Sequence, residues 1–102
     1  MYKSLYHGFR FEKGTPLRMN VNFYMGIPKS DGKAKREKKL TGEIKPTKVP
    51  DIDNLQKLVQ DSINKVVFYD DSQVVEIFAR KLYSDKPRTE IKITEIGGDN
   101  GD

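Results

Sequence analysis

From Leu17 to Ile27 the odd-numbered positions are all apolar: Leu17, Met19, Val21, Phe23, Met25 and Ile27. Arg18, Asn20, Asn22 and Tyr24 stand between them, and Pro28 closes the run. Side chains of a strand alternate between its two faces, so this pattern specifies one buried and one polar face. It is the strongest structural signal in the chain, and it demands a partner layer for its apolar side. That layer has a candidate from Asp53 to Val66. There Leu55, Leu58, Val59, Ile63 and Val66 fall on one helical stripe, with Gln56, Lys57, Gln60, Asp61 and Asn64 outside it. Asp53 occupies the place of an N-cap.

Beyond the helix, a short Val66–Tyr69 stretch leads into an Asp-Asp-Ser turn. Gln73 to Tyr83 and Arg88 to Ile96 then read as two strands. The Ser84-Asp85-Lys86-Pro87 link is short enough to join them as a hairpin. At the other end, Tyr2, Leu5 and Tyr6 recur at helical spacing before Gly8, as the last turns of a helix would. The expected class is α+β, a small mixed or antiparallel sheet with one covering helix. A single domain over residues 1–96 and a disordered Gly-rich, acidic tail over 97–102 complete the expectation.

Charge is unevenly placed. The whole chain of 102 residues carries +4, yet residues 29–48 alone hold eight basic and three acidic side chains. With Gly32, Gly42 and Pro46 and almost no apolar residues, this segment reads as a solvated loop with a turn or two of helix over 33–40. As a functional element it offers Lys33, Lys35, Arg36, Lys38, Lys39, Lys45 and Lys48 to the phosphates of a nucleic acid. As a merely solvated surface it needs no ligand. The absence of cysteine excludes a disulfide scaffold, a thiolate zinc site and a thiol nucleophile. No apolar run reaches the roughly 18–20 residues of a membrane span. A soluble cytoplasmic protein is expected.

The basic segment leads directly into Asp51 and Asp53, and Asp70-Asp71 follow at the far end of the helix. If residues 50–53 are extended, the side chains of Asp51 and Asp53 point the same way. Whether the two acidic pairs meet depends on how residues 66–69 return the chain to the start of the helix. Clustered carboxylates without His or Cys suit Mg²⁺ or Mn²⁺, hard ions that take oxygen ligands. Lys57, one turn after Asp53, can reach a phosphate or the charge on a leaving oxygen. Equally, Asp53 can be a helix cap, Asp51 a loop residue and Asp70-Asp71 a polar turn. An EF-hand is excluded, because a loop starting at Asp51 has Gln56 where Gly is required and Ser62 where Glu is required. Tyr24, Phe68, Tyr69 and Tyr83 read as core or sheet-face residues rather than base-stacking platforms, and His7 has no assigned role.

These residues resemble a known family. Lys48-Val49-Pro50-Asp51-Ile52-Asp53-Asn54-Leu55-Gln56-Lys57, then Asp61, then Asp70-Asp71-Ser72-Gln73-Val74, is similar to the signature of RusA-type Holliday junction resolvases. The spacing from Asp51 to Asp71, twenty residues, also matches, as does the segment Lys81 to Glu90. The resemblance runs from about Val21 to Ile96. It implies a RusA-like fold and a homodimeric, Mg²⁺-dependent endonuclease, bacterial or phage-encoded, that resolves four-way DNA junctions by paired nicks. It further implies that Asp51, Asp53 and Asp71 are essential metal-binding carboxylates, with Asp70 auxiliary and Lys57 the catalytic lysine. Members usually carry a strand and a Gly/Pro-rich basic segment ahead of their first helix, and this chain is expected to start near that helix's end. A nucleic-acid-binding domain without catalysis, for want of that segment, is the alternative.

Overall fold

The computed structural model describes residues 11–64 and 66–97. Strand β1 (Leu17–Gly26) is followed by helix α1 (Lys33–Leu40), helix α2 (Ile52–Ile63), strand β2 (Val74–Ser84) and strand β3 (Arg88–Glu95). A 3₁₀ turn, Asp71–Gln73, precedes β2. Among the described residues the fold is α+β, with a three-stranded mixed sheet and two helices. The helical spacing at Tyr2–Tyr6, His7 and the tail beyond Gly97 lie outside the described residues.

The alternation of β1 decides the architecture. Leu17, Met19, Val21 and Phe23 are all buried, and they meet Val59 and Ile63 of α2 together with Val67 and Phe68 just beyond it. Each such side chain removed from water contributes about 1.5–3 kcal/mol before entropy is counted. The most apolar strand therefore takes the centre of the sheet, in the order β2-β1-β3. β1 runs parallel to β2, with α1 and α2 in the crossover between them, and antiparallel to β3.

This order overturns the hairpin. The two strands are where the sequence places them, but β1 lies between them. The link of residues 85–87 crosses the end of β1 instead of turning back on itself. The reach is sufficient: strands flanking a third are about 9.5 Å apart, and each extended residue spans about 3.3 Å. Gly26 makes the crossing possible, since a Cβ there would sit 3.2 Å from Cγ of Pro87. Among the described residues the opposite face of the sheet carries no helix, and it is mostly polar, with Phe78 beside Asn20 left 57% exposed on it. Arg18 pairs with Glu76 at 2.6 Å, Nε of Arg80 donates to Asn22, and the Arg88 guanidinium lies over the Tyr24 ring at 4.0 Å.

Helix α2 starts one residue earlier and ends three residues earlier than its apolar stripe suggests. Its buried positions are Gln56, Val59 and Ile63, while Leu58 is 65% exposed and Val66 42% exposed. The helix is thus rotated so that a glutamine faces the core, where Nε2 of Gln56 donates to the Met19 sulfur at 3.2 Å. The turn or two of helix expected over 33–40 in the basic segment is α1, and the segment is less solvated than expected. Eight of its residues form α1, Lys39 is 6% exposed, and Pro46 is buried. Among the described residues no helix is long and apolar enough to cross a membrane.

Candidate nucleic-acid and metal site

Asp51, not Asp53, is the N-cap residue of α2, because the helix begins at Ile52. Its backbone is extended and its carbonyl accepts from the Leu55 N–H at 3.1 Å, but its carboxylate makes no capping bond. Asp53 lies inside the first turn, where the exposed N–H groups at the helix start favour an anion. One of its oxygens accepts from the Asn54 N–H. The two acids are consequently not an extended pair; the helix start intervenes between them. Asp51, Asp53 and Lys57 are all exposed, and Lys57 is one turn along from Asp53.

Asp70 caps the 3₁₀ turn, accepting from the Ser72 N–H at 2.9 Å. Gln73 completes a capping box: its Oε1 accepts from the N–H groups of Tyr69 and Asp70 at 3.0 and 3.1 Å. Its Nε2 donates to the carbonyls of Glu12 and Thr15 at 2.9 and 3.1 Å. The turn bearing Asp70 and the exposed Asp71 is thereby tied to the segment entering β1, where Phe11 N–H also bonds the Val67 carbonyl. Gln73 was quoted in the sequence motif without a role; a glutamine three residues after an N-cap aspartate is the signal that identifies it.

Within one chain the return segment does not bring the two acidic pairs together. Residues 66–69 do not carry the chain back along α2. Val67 and Phe68 are spent in the core, and Asp70 emerges near Leu17, the start of β1. Asp51 lies toward the opposite end of the sheet, where Nζ of Lys81, paired beside Phe23, donates to the Lys48 carbonyl at 2.6 Å. The twelve residues of α2, about 18 Å at 1.5 Å each, separate the pairs. Among the described residues no three Asp, Glu or His side chains are gathered closely enough to hold a metal ion.

The basic residues divide into two sets. Lys35, Lys39, Lys45 and Lys48 line a cavity of about 370 Å³ at the end of β1 and β2, which Tyr83 also lines. Lys33, Arg36 and Lys38 are on α1 away from that lining, Lys38 pairing with Glu43 at 3.9 Å. Lys39 is the fixed member: its ammonium donates to Asp31 and stands 4.7 Å from the centroid of the Tyr83 ring. The Lys39 hydrogen bond holds the Asp31 carboxyl below its ordinary value, with the charges of Lys39, Lys35 and Lys48 acting the same way against the effect of desolvation.

Comparison with known proteins gives this arrangement its context. The family model described as endodeoxyribonuclease RusA matches residues 4–94. The chain belongs to the RusA endodeoxyribonuclease family. Within reach of the RusA match are two curated relatives. One, from Bacillus subtilis (strain 168), is named uncharacterized protein YqaN and is 43% identical over 79% of this chain and 58% of its own length. The other, from Lactococcus phage r1t, is named crossover junction endodeoxyribonuclease rusA and is 40% identical over 84% of this chain and 60% of its own length. The chain thus spans somewhat under two thirds of the length of each of these relatives. No solved structure gives a significant match.

Proposed function

We propose that this chain acts as a homodimeric, Mg²⁺-dependent endonuclease that resolves four-way DNA junctions by paired nicks. The observation that carries the reading is the RusA match over residues 4–94, reinforced by the phage relative named as a crossover junction endodeoxyribonuclease. The site residues supply the chemistry. Asp51, Asp53, Asp70 and Asp71 are hard oxygen donors, the set that Mg²⁺ or Mn²⁺ prefers, and Asp51 is not committed to capping its helix. Such an ion, when bound, supplies a more acidic water and neutralises charge at a scissile phosphate. Lys57 stands beside Asp53 to hold that phosphate or the departing oxygen.

Among the described residues one chain does not gather this set, and on this reading two chains do. In a two-fold arrangement with the α2 helices antiparallel, Asp51 and Asp53 of each copy come beside Asp70 and Asp71 of the other. Two sites result, one for each strand to be cut. The exposed apolar residues Leu58, Val66 and Ile77 are available for the contact. The cationic residues of 33–48 lie next to Asp51 in sequence and hold the polyanion.

The test is nicking of a synthetic four-way junction in magnesium. Asp53→Asn is expected to reduce cleavage by at least about a hundred-fold while junction affinity stays within about two-fold, since only the charge that holds the ion is removed. Undiminished cutting by that variant would overturn the assignment. The ungathered carboxylates of the single chain favour a second reading, a DNA-binding domain that does not cut. Salt-sensitive junction binding with no nicking at any Mg²⁺ or Mn²⁺ concentration would select it.

A further inference from the structure

The cavity at the end of β1 and β2 is more than a patch of positive surface. Its cationic side is made by Lys35, Lys45 and Lys48, all exposed, around the buried Lys39. Lys39 and Asp31 form an ion pair whose side chains are each only 7% exposed, with Lys35 a further 3.8 Å from Asp31. One carboxylate among four ammonium groups leaves an excess of positive charge directed at an open concavity. The rest of the lining is of a different kind: Tyr83, Met25, Ile44 and Val49 give it an aromatic and apolar wall. A volume of about 370 Å³ lies in the range of small-molecule sites, roughly 300–1,000 Å³.

We infer that this cavity is a subsite for one unpaired nucleotide of a DNA strand, with its phosphate at Lys35, Lys45 and Lys48 and its base against Tyr83. A backbone phosphate of intact duplex would use the lysines but leave the aromatic wall empty. The bases of a duplex are stacked inside it and do not reach a recess of this kind without being extruded, at a cost of a few kcal/mol. A nucleotide already unpaired, as at a branch point, brings both a charge and a π-face and avoids that cost. Base stacking on an aromatic side chain tolerates any base, so the subsite reads local structure and not sequence. The inference rests on the DNA reading proposed above and adds to it a source of preference for branched over plain duplex DNA.

The probe is a duplex carrying one unpaired 2-aminopurine nucleotide, compared with the same duplex fully paired, both in EDTA so that nothing is cut. The full chain is expected to bind the bulged duplex about ten-fold more tightly and to quench its fluorescence, as one stacked base warrants. Tyr83→Phe keeps the preference, and Tyr83→Ala abolishes it. Lys45→Gln combined with Lys48→Gln, which alters only exposed side chains, weakens binding of the bulged duplex more than that of the paired one. Equal affinity of the unmodified chain for the two duplexes would overturn the subsite, as would a preference that survives the double lysine variant. Such a result leaves magnesium-dependent junction nicking untouched, whereas loss of nicking with the bulge preference intact counts against the nuclease reading alone.

Discussion

Gln73 makes four hydrogen bonds from one buried side chain, two accepted and two donated, and no other natural side chain of its size supplies both at that geometry. Gln73→Ala leaves the N–H groups of Tyr69 and Asp70 and the carbonyls of Glu12 and Thr15 to find new partners. A loss of about 3 kcal/mol is expected in denaturant unfolding, because orphaned buried polar groups keep their desolvation cost. Gln73→Glu retains the two acceptor contacts but turns an oxygen toward two carbonyls, so it is expected to rescue little. Asp31 gives a prediction in pH. Its folded-state value is lowered chiefly by the Lys39 hydrogen bond, so its contribution is complete above the ordinary carboxylate value and fades as pH falls through the folded one. The difference in melting temperature between the natural chain and Asp31→Asn is therefore expected to be full at neutral pH and to shrink below about pH 4. Sequence pattern names Asp51 and Asp53 but puts the helix start at the wrong one, since an aspartate at the N-cap position and one two residues later look alike until the first helical residue is known. The Lys39–Asp31 pair left no trace in the sequence, because burial of a lysine depends on what packs over it from β2.

At the scale of elements, β1 is legible to within a residue because its alternation is set by contacts on both faces. The pairing of β2 with β3 was not, because a short link is compatible with a hairpin and with a step across one intervening strand. Which occurs is decided by competition for the sheet centre, and β1 wins with four buried side chains in a row on one face. The step depends on Gly26. In Gly26→Val the branched side chain would run into the Pro87 ring, which has no freedom to swing away. Thermal unfolding is expected to fall by about 5–10 °C, equivalent to roughly 1–2 kcal/mol of overpacking for a domain of this size. For α2 the stripe is legible at Leu55, Val59 and Ile63, which meet the core, and departs from the structure at Leu58 and Gln56. Leu58 faces outward and Gln56 inward, and under the proposed dimer the outward Leu58 is available to a second chain.

For the whole molecule, the separation of the acidic pairs makes a prediction that no single-chain site shares. Asp53→Asn and Asp71→Asn are each expected to be inactive, yet mixing them restores nicking. In a mixed dimer one site carries both substitutions and the other carries neither. Random exchange of subunits gives roughly a quarter of the sites of the natural protein, all of which nick one strand only. A site built within one chain would give no recovery, because both sites of every mixed dimer would then be damaged. Nicked-circle assays on a cruciform plasmid separate the two cases, since single nicks relax the circle and paired nicks linearise it. The sequence carried the identity of the acids and their spacing of twenty residues, but not their placement in space. That depended on Val67 and Phe68 being taken into the core, which turns a return loop into an end point.

The central position of β1 also governs when the molecule can form. Its hydrogen-bonding partners lie between 57 and 78 residues further along the chain. During synthesis β1 emerges early and waits without a neighbour until β2 is made, and the sheet closes only with β3. Such non-local pairing places the protein among slow folders for its size and leaves little structure to a chain released before its last strand. Assembly is thereby ordered in time as well as in space, so a chain cut short before β3 holds the central strand with one neighbour and one bare edge.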